Sequence, residues 1–129
     1  NRIERKQSGA VPALCYYAHI CVILKEFIPH LPKEERFDLI DQMRRCCKAP
    51  PALIAEGFAK RYQPKHWNKY LTDAMGECYE MMNHLSVCRD VYASYIDVTL
   101  CAQLLDRYDH ACRQLTNLSK SWVNYHAEN

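Results

Sequence analysis

PKEERFDLIDQMRRCCKAPPALIAEG, residues 32–57, is the stretch that decides the fold. Glu34 and Glu35 open it with acids, which suit the positive end of a helix dipole. Phe37, Ile40, Met43, Cys47 and Ile54, with Phe58 just beyond, recur at helical spacing and make one apolar face. Only Pro50-Pro51 interrupts the pattern. Each proline lacks the N–H of an i to i−4 hydrogen bond, so the expectation is a helix over about 33–62 with a kink or brief break at the prolines.

Working outward, the upstream segment from about 8 to 29 carries Val11, Leu14, Cys15, Ala18 and Val22 as candidate core positions. Pro29 and Pro32 close it. Downstream, Trp67, Leu71, Ala74, Cys78, Met81, Leu85, Cys88 and Tyr92 alternate four and three apart, which predicts a helix over about 64–92. Val98, Cys101, Leu105, Tyr108, Cys112, Leu115, Leu118 and Trp122 keep nearly the same rhythm and predict another over about 97–125. Such alternation lays a single apolar seam along a helix, as bundle packing requires. The chain has 3 glycines and no Asn-Gly or Asp-Gly hairpin pair, so sheet is not expected. The expected fold is all-α, an antiparallel up-down-up-down four-helix bundle, with residues 1–129 as one domain.

Composition narrows the class. At 129 residues, 49% apolar and 25% charged, the chain fits one core and a globular domain. Its most apolar stretch, Val11 to Leu24, contains His19 and ends against Lys25, too short and too polar to span a bilayer. The opening Asn1-Arg2-Ile3-Glu4-Arg5-Lys6, with no small-residue cleavage site after it, is not expected to act as a secretory leader. The 8 cysteines fall mostly on core positions and include no C-x-x-C pair. They are expected to be reduced thiols of a cytoplasmic protein.

The net charge of +2 is unevenly spread: residues 33–69 carry nine basic and five acidic groups, residues 70–129 four basic and eight acidic. In the basic middle, Arg44 and Lys48 share a helix face, and Lys60, Arg61, Lys65 and Lys69 interleave with Tyr62, His66, Trp67 and Tyr70. These six cations are the candidate nucleic-acid-binding residues, since Lys and Arg neutralise phosphates and aromatic faces stack on bases. The competing reading is a set of solvated helix faces, with Asp41 and Arg45 paired i to i+4 and Trp67 in the core seam. No sequence-specific recognition motif is present, so recognition would run through shape and backbone.

Several motifs combine into a resemblance. Pro32-Lys33-Glu34-Glu35-Arg36, Leu39, Asp41-Gln42, Arg44-Arg45, Pro51-Ala52 and Ile54-Ala55-Glu56-Gly57 resemble the 23S rRNA intervening-sequence protein family. In the third helix Tyr70-Leu71, Ala74, Gly76-Glu77 and Glu80 continue the match, which covers about 16–125. The chain departs from the family pattern at Ala49 and Leu53, where a polar Ser and Asn are usual. The resemblance implies a bundle assembled as a homopentamer, and a cytoplasmic, non-enzymatic protein is expected. It also implies kinship with accessory proteins of diversity-generating retroelements, whose partners are a reverse transcriptase and its template RNA. The expected function is therefore binding of structured RNA or of an RNA–protein complex. The alternative is a purely structural oligomer in which the basic and acidic regions meet between subunits.

Other chemistry is not expected. Glu77, Glu80 and His84, like Asp106, Asp109 and His110, read as ordinary surface pairs, because the i, i+3 Glu-x-x-His spacing of di-iron bundles is missing. A catalytic thiol needs an electropositive, partly exposed setting, which a core-seam cysteine such as Cys78 or Cys88 near His84 lacks. Asn117-Leu118-Ser119 matches a glycosylation acceptor but falls mid-helix. Neither a metal nor a cofactor is predicted. Gly57 is expected to allow close helix contact or local bending after the prolines, and Glu56 to pair with an arginine, within the bundle or across subunits.

Overall fold

The computed structural model describes residues 13–128, with side chains described over 18–122. Its four helices are α1 (Ala13–Val22), α2 (Leu39–Ala59), α3 (Pro64–Val91) and α4 (Val98–Glu128). Among the described residues there is no strand. α1 runs on through a π-helical turn, Ile23–Phe27, and a 3-10 turn, Ile28–His30. A second 3-10 turn, Lys33–Glu35, stands just ahead of α2. The predicted start of the first helix near Ser8 lies outside the described residues, as does Val11.

α3 matches its sequence pattern closely. Trp67, Leu71, Ala74, Cys78, Met81, Leu85 and Cys88 are all buried, and Tyr92 is half-buried. Pro64 sits at the first helical position, where its missing N–H would have had no intrahelical acceptor. α3 packs against both α2 and α4, which explains the unbroken seam. α4 follows its pattern with one slip. Cys101, Tyr108, Cys112, Leu115, Leu118 and Trp122 are buried, but Leu104 takes the place expected of Leu105, and Val98 at the first turn is 49% exposed. Asp97 caps α4, its Oδ1 accepting from the Leu100 N–H at 3.0 Å.

The two earlier helices correct the sequence reading. The helix expected over 33–62 begins at Leu39, so the helical period does not extend back to Phe37. That residue, expected in the core, is 83% exposed, and Leu39 is buried in its stead. The Arg36 guanidinium lies 4.6 Å from the centre of the Phe37 ring. At the far end the helix stops at Ala59: the Lys60 N–H bonds back to the Gly57 carbonyl at 2.9 Å and the Arg61 N–H to that of Phe58 at 3.2 Å. Pro50 and Pro51 do not break α2: both are buried inside a continuous helix. What they remove is the pair of N–H groups that would have reached the carbonyls of Cys46 and Cys47.

In α1, Ala18 is exposed and Val22 only half-buried, while His19, Ile23 and Phe27 face the core. Leu14 and Cys15 lie outside the described side chains. The segment ALCYYAHICV is apolar on nearly every face, so spacing does not set its phase, and the wider π-helical turn after Val22 shifts the phase again. His19 stacks near Tyr108 of α4, ring centres 5.8 Å apart. Burial, and next the Arg107 charge, push its imidazole below the ordinary histidine value. The seven described cysteines form no disulfide, and six of them are buried.

Candidate nucleic-acid interface

The six candidate cations fall on α2, on the α2–α3 turn and on the first turns of α3. Arg44 and Lys48 lie on α2, both exposed. More than ten residues, on the order of 16 Å of helix axis, separate Lys48 from the turn. The set is thus two patches rather than one.

The turn itself is built from the inside. Trp67 is buried and meets Phe58 edge to face at 6.2 Å, and Trp122 of α4 at 5.9 Å. The Trp122 indole N–H donates to the Arg61 carbonyl at 3.1 Å, so α4 holds the turn's backbone. Arg61 then folds back on α2: its Nη1 donates at 3.0 Å to the Phe58 carbonyl, which also accepts the Arg61 N–H. The guanidinium stacks 4.2 Å from the Phe58 ring centre and 4.6 Å from that of Tyr62. Arg61 is therefore half-buried and occupied with closing α2.

Lys60 is likewise engaged. Its ammonium donates to the Tyr70 hydroxyl at 3.0 Å, and that hydroxyl donates in turn to Glu56 Oε1 at 3.1 Å. The hydrogen bond and the phenol's proximity hold Lys60 above its ordinary value, with Glu56 adding to the effect. Within the chain, Glu56 thus pairs with a tyrosine rather than an arginine. Beside this chain lies Gly57. A Cβ there would overlap the Tyr70 Cβ and come within 2.9 Å of two atoms of the Trp67 ring. Glycine is required because α3 crosses its backbone directly. The close contact expected of Gly57 is present, and with it Ile54-Ala55-Glu56-Gly57 and Tyr70-Leu71 become one piece of packing.

The surface cations divide in two. Lys69 is paired with Asp73 at 3.1 Å, Arg45 with Asp41 at 3.5 Å, Arg113 with Asp109 at 3.0 Å and Arg89 with Asp90 at 2.8 Å. Asp41–Arg45 is the pair the i, i+4 spacing predicts. Arg44, Lys48 and Lys65 are exposed and make no ion pair among the described residues, and the same holds of Lys25, Lys33, Arg36, Arg107 and Lys120. Tyr62, beside the turn, is 63% exposed. His66 is exposed too, whereas Trp67 belongs to the core.

The Glu80–His84 pair forms, Nε2 to Oε1 at 3.4 Å, but His84 is buried rather than on the surface. Asp106, Asp109 and His110 are exposed. No described helix is long and apolar enough to cross a membrane.

No curated protein matches the chain. One family model, described as 23S rRNA-intervening sequence protein, matches residues 18–117.

Proposed function

The chain belongs to the 23S rRNA-intervening sequence protein family, and from that premise we propose that it is a non-enzymatic, cytoplasmic RNA-binding protein. In this reading the four helices form an up-down-up-down bundle, a single domain that assembles as a homopentamer. It binds structured RNA, or an RNA–protein complex such as a reverse transcriptase on its template.

The supporting observation is the division among the surface cations. Arg45, Lys69, Arg89 and Arg113 are neutralised by neighbouring carboxylates, whereas Arg44, Lys48 and Lys65, like Lys25, Lys33, Arg36, Arg107 and Lys120 elsewhere on the surface, stand exposed without such partners among the described residues. Unneutralised cations on a protein with an acidic C-terminal half suit a polyanion that docks on one side. Phosphate contacts of this kind give affinity without base selectivity. A ring repeats each patch, so weak contacts gain through effective concentration. Lys60, Arg61 and Lys69 keep a supporting place, since Lys60 and Arg61 shape the turn from which Tyr62 and Lys65 project.

A second reading rests on a different observation. Phe37, Tyr79, Val91 and Tyr95 are large apolar side chains left more than half exposed, as the contact face of a purely structural or protein-interaction oligomer would be.

Fluorescence anisotropy with a structured RNA, at about 50 and 200 mM salt, separates the two. The comparison is wild type against an Arg44→Glu/Lys48→Glu/Lys65→Glu variant of the same oligomeric mass. Binding that weakens by about tenfold or more with salt, and that the variant lacks, supports the RNA reading. No binding by wild type at low salt rejects it. A variant that falls into smaller species instead puts those charges at a subunit contact.

A further inference from the structure

The described helices bring together one group of metal-ligating side chains that the spacing along the chain conceals. Cys46 of α2 meets Glu80 and His84 of α3, with one donor atom from each within 4.8 Å of the others. We propose that these three residues bind a zinc ion that ties the middle of α2 to the middle of α3, independently of any nucleic-acid surface.

The donor set and its placement carry the argument. Glu80 and His84 are one helical turn apart, so both reach the same spot on α3. The 3.4 Å between His84 Nε2 and Glu80 Oε1 is close to what a tetrahedral zinc imposes. With bonds of about 2.0–2.3 Å, its ligands sit roughly 3.3–3.6 Å apart. The Cys46 sulfur lies within 4.8 Å of both of those donor atoms. That sulfur now donates to the Glu77 carbonyl at 3.1 Å, beside the proposed position. Thiolate, imidazole and carboxylate together are borderline-soft donors, which suit zinc and exclude magnesium and calcium.

Burial is graded across the group. Cys46 is 3% exposed and His84 7%, while the Glu80 side chain is 50% exposed. An ion therefore enters past Glu80, and water takes the fourth position from that side. A plain Glu80–His84 surface pair leaves unexplained why the imidazole is buried and why a thiol from another helix converges on it. The thiol on α2 supplies the inward ligand that the carboxylates of that helix do not.

The test uses the full chain, cobalt(II) as a spectroscopic stand-in and zinc for the melts. Wild type and Cys21→Ser, which removes the exposed thiol, are expected to bind one cobalt per chain with a thiolate charge-transfer band. Cys46→Ser is expected to lose the band, and Glu80→Gln to weaken binding at least about tenfold. Zinc should raise the melting temperature of wild type and leave that of Cys46→Ser unchanged. No band in wild type, a band that survives Cys46→Ser, or one that disappears in Cys21→Ser overturns the proposal. Glu80 is half exposed, so Glu80→Gln keeps its fold even where Cys46→Ser does not. Unchanged cobalt affinity in that variant also overturns it.

Discussion

Tyr92, which follows the last turn of α3, donates its hydroxyl to Glu35 at 2.6 Å, while the other oxygen of the same carboxylate accepts the Leu39 N–H at 3.1 Å. One side chain thus caps the start of α2 and holds the end of α3. Asp38, at the conventional capping position, makes no such bond to the helix backbone and accepts from the Gln42 side chain instead.

Replacing Tyr92 with Phe should lower the melting temperature by a few degrees, and the difference should depend on pH. The bond to Glu35, followed by burial and the carboxylate charge, pushes the phenol up to about 12 from an ordinary 10.0. Folding favours the protonated phenol. Its contribution is complete below about pH 10 and is lost as pH rises through about 12. Melts of wild type and Tyr92→Phe at rising pH should therefore converge over that window. A gap that stays constant would show that Glu35 does not set the phenol's titration.

Gly57→Ala should destabilise the protein by about 1–3 kcal/mol, the usual range for overpacking, because its Cβ overlaps Tyr70 and crowds Trp67. Trp67 fluorescence should change with it. Gly76→Ala is the control: a Cβ there meets nothing within 4 Å. It should instead stabilise by about 0.5–1 kcal/mol through helix propensity. Chemical denaturation of the two variants checks both signs.

Removing the Trp122 indole N–H by Trp122→Phe leaves the Arg61 carbonyl without its donor and a space beside Trp67. A loss of about 2–4 kcal/mol is expected. Faster proteolysis at the α2–α3 turn should accompany it, readable by limited digestion.

For RNA binding, every phosphate that the protein no longer neutralises should shallow the log–log dependence of affinity on salt by about 0.7–0.9. Arg44→Glu/Lys48→Glu/Lys65→Glu should shallow it by roughly 2–3 in total. Lys60→Met should leave the slope nearly unchanged, since that ammonium already serves Tyr70. A salt titration of RNA affinity for the two variants reads both values.

Thiol accessibility follows burial. Among the described cysteines Cys21 is exposed and the other six are buried, and burial pushes the Cys88 thiol up to about 12. A thiol reagent on native protein should label Cys21 rapidly and the buried six only on unfolding, as peptide mapping would show.

The seam of α3 was legible in the sequence because this helix is covered on two sides and its pattern has few exceptions. Phe37 misled because an apolar residue one period upstream looks the same whether or not the helix has begun. The Lys33–Glu35 turn, set by Pro32 and capped through Glu35, delays that start. α1 offered no phase to read, being apolar all round. Pro50 and Pro51 marked a break that burial inside the packed helix overrides. Spacing nominated the six candidate cations, but it did not tell Arg44, Lys48 and Lys65 from those engaged within the chain. That distinction depends on Tyr70 and Asp73 and on the Phe58 carbonyl. The Cys46–Glu80–His84 group was only half legible: Glu80 and His84 stand one turn apart, but Cys46 lies 34 residues before Glu80 and meets them only when α2 and α3 dock.

Gly57 has a consequence for where this chain can be opened or lengthened. The segment from Gly57 to Tyr70 is fastened at both ends and at Arg61 in between, so its register resembles a threaded bolt with no free play. An epitope tag or a circular-permutation cut placed in the short turn at 60–63 would pull Tyr70 off the one backbone position able to receive it. Ala93 and Ser94, exposed between α3 and α4, are the better place for a tag or a new terminus.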